Sequence, residues 1–494
     1  MMILAYLVVG IYIATLTYIT VYCVLQFKLL YHYKQHHWRL GKQMKESLTN
    51  PEEYPFVTIQ LPVYNEMYVV ERLIDRIAQF DYPKDRYEIH VLDDSTDETI
   101  NITKKKVLEY QTKGYNIEQI TRTKRTGYKA GALKEAMSQA QGEFIAIFDA
   151  DFLPRLDFLK QTIPYFKDPK IGVVQTRWEH LNEDYSLLTR LQAIQLNVHF
   201  TVEQQGRRAG NYMLQFNGTA GVWRRETIED AGGWEADTLT EDLDLSIRAQ
   251  LKGWEIAYLE KFDSPAELPA DINGLKSQQF RWMKGGAETA KKMLPTIWKS
   301  DLSLSKKFHT SLHLLSSTIF VFVFAAGVFS VPVLLLMGLI GLNTIYFGYF
   351  LAGLLSVAAV YYVANVQAAI KQQSFLKRLL KFVLIFPVFL SLSMGLSLHN
   401  TVAVIQGYLG KKSAFIRTPK FNIQGISDSF KKSNYRNYKI SWTTIFEGIL
   451  AIYFTVAVIY GFQSQQTDFI LFHLLLAVGY GTIFIYTLRH LSPK

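Results

Sequence analysis

The chain has 494 residues, which is more than one hydrophobic core usually supports, since single cores rarely grow past about 250 to 300 residues. Hydrophobic residues make up 49% of the chain and charged residues 19%, and the apolar residues are gathered into long runs, which predicts membrane spans. The formal charge of +10 fits basic cytosolic loops beside anionic membrane lipid better than nucleic acid. A single cysteine excludes a disulfide framework and a cysteine-based zinc site.

The first apolar run covers residues 2–27 and contains no charged residue. At about 1.5 Å per residue it can cross a hydrocarbon core of about 30 Å, so we predict a transmembrane helix over residues 1–30. A cleaved signal peptide is the alternative, but no basic residue precedes the run and no small-x-small cleavage site follows it. The basic residues that follow place the next segment in the cytosol: Lys28, Lys34, Arg39 and Lys42.

From about residue 55 to 265, short apolar runs alternate with amphipathic, helix-like stretches. The runs are VTIQLPV, EIHVLDD, FIAIFDADF and IGVVQTRW. The alternation predicts an α/β nucleotide-binding domain over residues 50–270, with a mixed, mainly parallel sheet, inserted in an α-helical transmembrane domain. Two acidic pairs end such runs, Asp93 with Asp94 and Asp149 with Asp151, at the sheet edge where open α/β sheets bind nucleotides.

Apolar runs return after residue 308, and we assign residues 309–494 to the C-terminal membrane region. Four of the runs are long enough to span a membrane: 312–340, 344–366, 444–462 and 468–488. A fifth run at 382–396 is short, contains Pro387 and has basic residues on both flanks, so we interpret 382–410 as a re-entrant or interfacial segment. These assignments predict a multi-pass membrane protein with its sheet domain in the cytosol, in the plasma or inner membrane if the source is prokaryotic.

Asp149 and Asp151 in FDADF are two residues apart at the end of an apolar run. This spacing lets a strand end and the following turn present carboxylate oxygens to Mg²⁺ or Mn²⁺ beside a diphosphate. A solvated turn is the alternative, because short motifs match often by chance.

Two further candidates lie near strand ends or helix starts. Asp93 and Asp94 can accept hydrogen bonds from a nucleoside, whereas Asp94 or Ser95 can instead cap a helix that begins near Asp97. Lys129 in RTGYKAGAL stands at a helix start where it can meet phosphate, although most lysines are merely solvated.

The segment TLTEDLDL places Glu241 and Asp242 ahead of an amphipathic helix, where acidic residues also stabilise a helix start. In SQQFRWMKG, Arg281 can bind a diphosphate and Trp282 offers a flat surface to a sugar ring. We assign residues 271–308 to amphipathic interface helices that carry this motif. The alternative is an interfacial helix with a tryptophan anchor and snorkelling cations, which accounts for the same pattern without a binding role.

Taken in order, the motifs DD, DAD, TED and QQFRW, with apolar runs on both sides, resemble the processive glycosyltransferases of family 2, which include cellulose, hyaluronan, chitin and mannan synthases. The resemblance covers about residues 55–300 and continues more loosely to 421. The segments VQTRWEHLN, HFTVEQ, FNGTAGVWR and AGGW look most like the plant cellulose-synthase-like synthases of mannan and glucan backbones.

The resemblance implies a nucleotide-sugar domain of the GT-A type and a role for each motif. The implied nucleotide and donor contacts are Asp93, Asp94, Lys129, Asp149, Gln278 and Arg281. Asp149 and Asp151 would also hold Mg²⁺ or Mn²⁺. Asp242 would be the catalytic base, with Glu241 beside it, and Trp282 would lie under the acceptor sugar at the mouth of a membrane channel. FIRTPK, in segment 411–421, resembles a gating loop, although Arg417 and Pro419 depart from the FxVTxK pattern.

We therefore expect a processive, inverting synthase of a β-linked polysaccharide that takes a UDP- or GDP-sugar, most simply UDP-glucose or GDP-mannose, and extends a growing chain. A non-processive transferase with a lipid acceptor would share the aspartate motifs but not QxxRW. A transporter or channel with a nucleotide-binding domain is the alternative from another class. It would bind a sugar nucleotide without consuming it.

Overall fold

A seven-stranded sheet and a set of long apolar helices make up the computed structural model, which describes residues 1–39, 54–343, 347–348, 350–368, 374–413, 416–423, 428 and 440–491. The strands are β1 Val57–Val63, β2 Tyr87–Asp93, β3 Ile117–Thr121, β4 Phe144–Ile147, β5 Ile171–His180, β6 Gly221–Arg224 and β7 Glu255–Ala266. The helices are α1 Met2–Arg39, α2 Val70–Ala78, α3 Thr99–Thr112, α4 Tyr128–Ala136, α5 Phe158–Thr162, α6 Leu187–Val198, α7 Gln204–Ala209, α8 Arg225–Asp230, α9 Glu241–Leu251, α10 Ile272–Lys299, α11 Leu304–Leu314, α12 Ile319–Leu336, α13 Leu351–Tyr362, α14 Phe375–Gly395, α15 Ser397–Tyr408, α16 Trp442–Gln463 and α17 Ile470–Leu491.

The sheet has the order β3-β2-β1-β4-β6-β5-β7. Strands β3, β2, β1 and β4 run parallel, β6 is antiparallel to both β4 and β5, and β5 runs parallel to β7. This arrangement confirms the predicted mixed, mainly parallel sheet. The predicted strands correspond to β1, β2, β4 and β5, whereas β3, β6 and β7 were not expected. Strand β3 reads as a polar segment, IEQIT.

The sheet is buried on both faces, which explains why its central strands are apolar runs rather than alternating patterns. In β4, Phe144 and Ala146 pack in one hydrophobic core, and Ile145 and Ile147 pack in a second core on the opposite face. Successive side chains of a strand point to opposite faces, so each face of β4 meets its own layer of helices.

The carboxyl ends of β2 and β4 flank the end of β1. Val63 pairs with Asp93 of β2, and Gln60 pairs with Ile147 of β4. Because all three strands are parallel, the residues after β2 and β4 emerge at one edge of the sheet. The two acidic pairs of the sequence therefore lie on either side of the same strand end.

In the described part of the chain, four helices are long and apolar enough to cross a membrane: Met2–Gln35, Leu304–Ile340, Trp442–Gln463 and Ile470–His490. They contain most of the predicted spans 2–27, 312–340, 444–462 and 468–488. Helix α1 continues to Arg39, past the expected limit at residue 30.

The prediction of a long span over 344–366 does not match the helix found there, which is the shorter apolar segment Ala352–Gln367. Residues 344–346 and 349 lie outside the described residues. The preceding helical segment ends at Gly341, whose φ of 63° is left-handed and terminates a helix.

The segment 382–410 lies in two helices, Phe375–Gly395 and Ser397–Tyr408, which meet at a bend of 46°. Such a pair is either one broken span or a re-entrant loop. The re-entrant assignment stays a prediction. Residues 271–308 contain one continuous helix of 28 residues, α10, and the start of α11.

Candidate active site

A cavity of about 750 Å³ begins at the carboxyl ends of the strands and continues between the apolar helices α1, α12, α13 and α14. The predicted site residues that line it are Asp94, Lys129, Asp149, Asp151, Glu241, Asp242, Gln278, Arg281 and Trp282. Asp93 is absent from this lining. The fold thus brings four separate sequence motifs to one cavity.

Asp149 and Asp151 each make an ion pair with a lysine. Lys129 Nζ lies 2.5 Å from Asp149 Oδ1 and also donates to the carbonyl of Gly218 at 2.9 Å. Lys420 Nζ lies 2.6 Å from Asp151 Oδ2, which also accepts the backbone N–H of Glu267 at 3.2 Å. Among the described contacts, the other oxygen of each carboxylate has no hydrogen-bond donor, so each keeps a coordinating position.

Asp93 and Asp94 have different surroundings. Asp93 is 2% exposed and accepts hydrogen bonds from the backbone N–H of Ser95 and from Gln119 Nε2, at 3.0 and 2.8 Å. Asp94 forms a two-pronged ion pair with Arg122, with Nε at 2.9 Å from Oδ1 and Nη2 bonded to Oδ2. Asp93 therefore shapes the turn after β2, while Asp94 borders the cavity with its charge compensated.

The alternative in which Asp94 caps the following helix is wrong. Helix α3 begins at Thr99, and its N-cap residue is Glu98, whose side chain makes no capping hydrogen bond. Asp97 Oδ1 instead accepts the backbone N–H of Thr99 at 3.0 Å. The Asp94 carboxylate is consequently available for a role at the strand end.

Glu241 and Asp242 form the first turn of α9, facing the cavity. Burial, and then the neighbouring Glu241 carboxyl, raise the pKa of Asp242 to about 7. Burial also raises the pKa of Glu241, more than the Lys129 charge lowers it. A carboxyl that titrates near neutral pH is suited to take a proton during a reaction.

Gly218 lets the chain pass close to Asp242. Its φ is 78°, and a Cβ at this position would lie 3.1 Å from Asp242 Oδ2. The carbonyl of Gly218 accepts from Lys129 Nζ. Burial by itself lowers the pKa of Lys129, but the Asp149 and Glu241 carboxylates raise it above its ordinary value, so Lys129 carries a positive charge between them.

Helix α10 carries Gln278, Arg281 and Trp282, three residues spaced i, i+3 and i+4 that share one helical face and all line the cavity. The helix begins at the N-cap Asp271, whose Oδ1 accepts the backbone N–H groups of Asn273 and Gly274 at 3.0 and 2.9 Å. Burial lowers the pKa of Arg281 to about 10, so the guanidinium stays charged at neutral pH.

The same helix holds the Glu241 turn in place. A Cβ at Gly285 would lie 2.6 Å from Thr240 Cγ2, so only glycine permits this close approach. Thr240 and Thr289 hydroxyls lie 3.0 Å apart, and the backbone N–H of Leu239 donates to Glu288 at 2.9 Å. Helix α10 therefore positions both its own donor-binding face and the acidic turn.

Residues 416–421 reach across the cavity and contact three site residues. Arg417 Nη1 pairs with Glu66 at 2.7 Å, Thr418 Oγ1 accepts from Arg281 Nη2 at 2.8 Å, and Lys420 pairs with Asp151. Phe415, the first residue of FIRTPK, lies outside the described residues. The gating-like segment is thus seated against the metal and diphosphate candidates in this structure.

Glu66, Glu267 and Arg122 were not among the predicted site residues. Glu66 lies in the turn after β1, which ends at Val63, so its position shortly after an apolar run was the signal that could have identified it. Burial raises the pKa of Glu66 to about 7, against the opposing effect of Arg417. Glu267 and Arg122 carry no comparable motif, because they become site residues only through contacts with Asp151 and Asp94.

An acidic cluster outside the cavity lining consists of Glu235, Asp237 and Asp244. Lys292 Nζ lies among them, at 2.6, 2.9 and 3.0 Å from their carboxylates. The ammonium group of Lys292 lies between the three carboxylates, so we interpret the cluster as an ion-pair network.

Residues 55–285 match the family described as Glycosyltransferase like family 2. Over 263 residues the chain is 43% identical to a probable glucomannan 4-beta-mannosyltransferase 7 of Oryza sativa subsp. japonica, covering 52% of this chain and 45% of that protein. It is also 43% identical over 259 residues to glucomannan 4-beta-mannosyltransferase 1 of Cyamopsis tetragonoloba, covering 51% and 49%. The chain spans about half the length of the curated relatives that it matches.

Among solved structures, a mannosyltransferase from Pyrobaculum calidifontis in complex with GDP-Man and Mn²⁺ has the same fold, with a TM-score of 0.50 and 19% sequence identity. The match covers 82% of this chain and 100% of that one. At this identity the likeness concerns the fold alone.

Proposed function

Because residues 55–285 form a family 2 glycosyltransferase domain, we propose that the chain transfers a mannosyl unit from a cytosolic nucleotide sugar, most simply GDP-mannose, to a growing β-1,4-linked mannan or glucomannan. One observation carries the proposal: the donor-binding, acidic and QxxRW motifs line a single cavity that continues between apolar helices. The names of the relatives support mannose as the sugar and the β-1,4 linkage.

In the proposed reaction, the hydroxyl of the acceptor chain attacks the anomeric carbon, the bond to the diphosphate breaks, and the proton of the hydroxyl passes to Asp242. A single displacement inverts the anomeric configuration, so an α-linked donor gives a β-linked product. Lys129 and Arg281 bring positive charge to the side of the cavity where the leaving diphosphate gains negative charge. Trp282 offers its ring face to the acceptor sugar.

We propose that Asp149 and Asp151 hold a divalent cation. Their carboxylates suit Mg²⁺ or Mn²⁺, and each keeps one oxygen without a donor. When bound, such a cation supplies Lewis-acid stabilisation of the diphosphate. The structure with GDP-Man and Mn²⁺ supports this assignment by analogy of fold.

The continuous cavity supports export of the product between the membrane helices, and the four apolar helices support a membrane location. The decisive experiment incubates inverted membrane vesicles with separately labelled GDP-mannose, GDP-glucose and UDP-glucose, with and without chelator. The product is then digested with β-mannanase or cellulase. We expect chelator-sensitive incorporation from GDP-mannose into β-mannanase-sensitive polymer. Nucleotide binding without incorporation would support a transporter with a nucleotide-binding domain instead.

A further inference from the structure

A second group of polar side chains lines the cavity between the catalytic carboxylates and the apolar helices. We call it the Glu203 cluster, and it consists of His199, Glu203, Asn217 and His313. His199 Nδ1 lies 3.1 Å from Glu203 Oε2, and His199 Nε2 lies 2.8 Å from Asn217 Oδ1. Arg207 Nη2 also donates to Glu203 Oε2, at 3.2 Å. The mechanism above uses none of these side chains.

The cluster is built by an irregular helical turn. His199–Glu203 forms a π-helix between α6 and α7, a wider turn that is rare in proteins and frequent at functional sites. This turn brings its first and last side chains together on the cavity side. Asn217 immediately precedes Gly218, which lies against Asp242, so the cluster is adjacent to the proposed catalytic base.

His313 is a buried side chain of the cavity wall. It is 8% exposed, it lines the cavity, and neither of its ring nitrogens has a partner among the described residues. A buried polar group without a partner is unfavourable, so it marks a place where a bound molecule supplies the hydrogen bond. His313 lies on α11, and Glu203 lies on the wall contributed by the sheet domain.

The charges of the cluster select a neutral occupant. Burial by itself raises the pKa of Glu203, but Arg207 and His199 lower it well below its usual range, so Glu203 is an anion paired with a cation. The charges of Glu203 and Arg207 balance, so this pair offers no net charge to a phosphate or a metal ion. Carboxylate, imidazole and amide groups together offer both acceptors and donors, as the hydroxyl groups of a sugar require.

We propose that the Glu203 cluster is a binding subsite for one hexose unit of the acceptor glycan, next to the unit that receives the new sugar. The inference rests on the proposed function, since it assumes a neutral glycan in the cavity. His313 and Glu203 hydrogen bond hydroxyl groups of this unit from opposite walls. The subsite keeps the chain end in register with Asp242 between additions.

The test measures binding of β-1,4-linked mannohexaose to the full chain in lipid nanodiscs by calorimetry, which needs no turnover. His313→Leu should weaken hexaose binding about tenfold, the scale of one lost polar contact in a buried site, and should leave the affinity for GDP-mannose unchanged. His309→Leu is the matched control. His309 lies one turn earlier on α11, is equally buried and stacks on Tyr212 outside the cavity lining, so hexaose binding should be unchanged.

His313→Gln keeps one donor and one acceptor, so its loss of hexaose affinity should be smaller, and it serves as the test if the leucine variant does not fold. Absence of hexaose binding to the wild-type chain, or equal affinity in both His313 variants and wild type, would overturn the subsite. Failure of the proposed function is a separate result: wild-type chain that transfers no sugar from any tested nucleotide sugar.

Discussion

Lys420 Nζ lies 2.6 Å from Asp151 Oδ2, although 269 residues separate the two along the chain. The contact ties the loop after the last helix of the α14–α15 pair to one of the two proposed metal ligands. It also places a positive charge on a carboxylate that would otherwise be nearly buried and uncompensated. Lys420 and a divalent cation therefore compete for the charge of Asp151.

Replacing Lys420 by methionine should make divalent cations bind more tightly, because the competing ammonium is removed while the apolar stem remains. We expect the Mn²⁺ concentration that half-saturates GDP-mannose binding to fall about three- to tenfold, since one competing charge is removed. Lys160→Met is the matched control, since it removes a similar pair with Asp81 at 2.7 Å on the surface of the domain. An equal Mn²⁺ requirement in wild type and Lys420→Met would contradict the competition.

Asp242→Asn should lower sugar incorporation by about 10²- to 10⁴-fold, since the amide cannot take the acceptor proton. The affinity for the donor should survive, whereas Asp149→Ala should weaken donor binding as well, because it removes a proposed metal ligand. Both measurements belong on the same purified samples. Near-wild-type incorporation would remove Asp242 as the base and leave Glu241 as the next candidate.

The raised pKa of Asp242 predicts how activity and stability depend on pH. A base must be unprotonated, so kcat/KM should rise with pH through about 7 and then level off. The Asp242 carboxyl binds its proton more tightly in the folded state than in the unfolded chain, where an aspartate titrates near 4. Protonated Asp242 therefore contributes to stability fully below about pH 4. This contribution is lost as the pH rises from about 4 to about 7. The Tm of Asp242→Asn at pH 8 should therefore equal or exceed that of wild type. A lower Tm would instead support a purely structural role at the start of α9.

Arg417→Gln should loosen the loop at residues 416–423, because it breaks the 2.7 Å pair with Glu66. We expect faster hydrogen exchange in this loop and weaker donor binding, both measured on the full chain. Arg155→Gln is the control, since it removes an exposed pair with Asp157 at 3.0 Å. Unchanged exchange in the Arg417 variant would show that the remaining contacts of the loop hold it without this ion pair.

Trp282→Ala should shorten the polysaccharide or stop its elongation, because an acceptor held by stacking need not rebind after each addition. Trp298→Ala provides the control at the other end of α10, where the side chain is 50% exposed and outside the cavity lining. Product length is measured by size-exclusion chromatography at equal incorporation. Equal lengths from wild type and Trp282→Ala would return Trp282 to the role of an interfacial anchor.

The segments around Lys377, at the start of α14, and around Lys431 should both be cytosolic, because each carries the basic excess of cytosolic segments. Lys431 lies outside the described residues, so the expectation there rests on charge alone. Cysteines introduced at the two positions should resist an impermeant thiol reagent in intact cells, against a low background from the buried Cys23. Labelling at only one position would show that the α14–α15 pair crosses the membrane once.

The sequence by itself determined the features that depend on local spacing. The apolar runs of β1, β2 and β4 predicted parallel strands, and the acidic pairs that follow β2 and β4 were thereby placed at one edge of the sheet. The i, i+3, i+4 spacing of Gln278, Arg281 and Trp282 is likewise a local property, because a helix brings such residues to one face wherever it packs.

The tertiary structure alone decided which distant side chains meet. It buried Asp93 away from the cavity, paired Asp94 with Arg122, seated Lys420 on Asp151, and brought His313 to the cavity wall near the π-helix of Glu203. None of these contacts has a signal in spacing or composition, because each depends on how separate elements pack. Residue periodicity fixes the direction of a side chain on its own strand or helix, whereas its partner is fixed only when the elements come together.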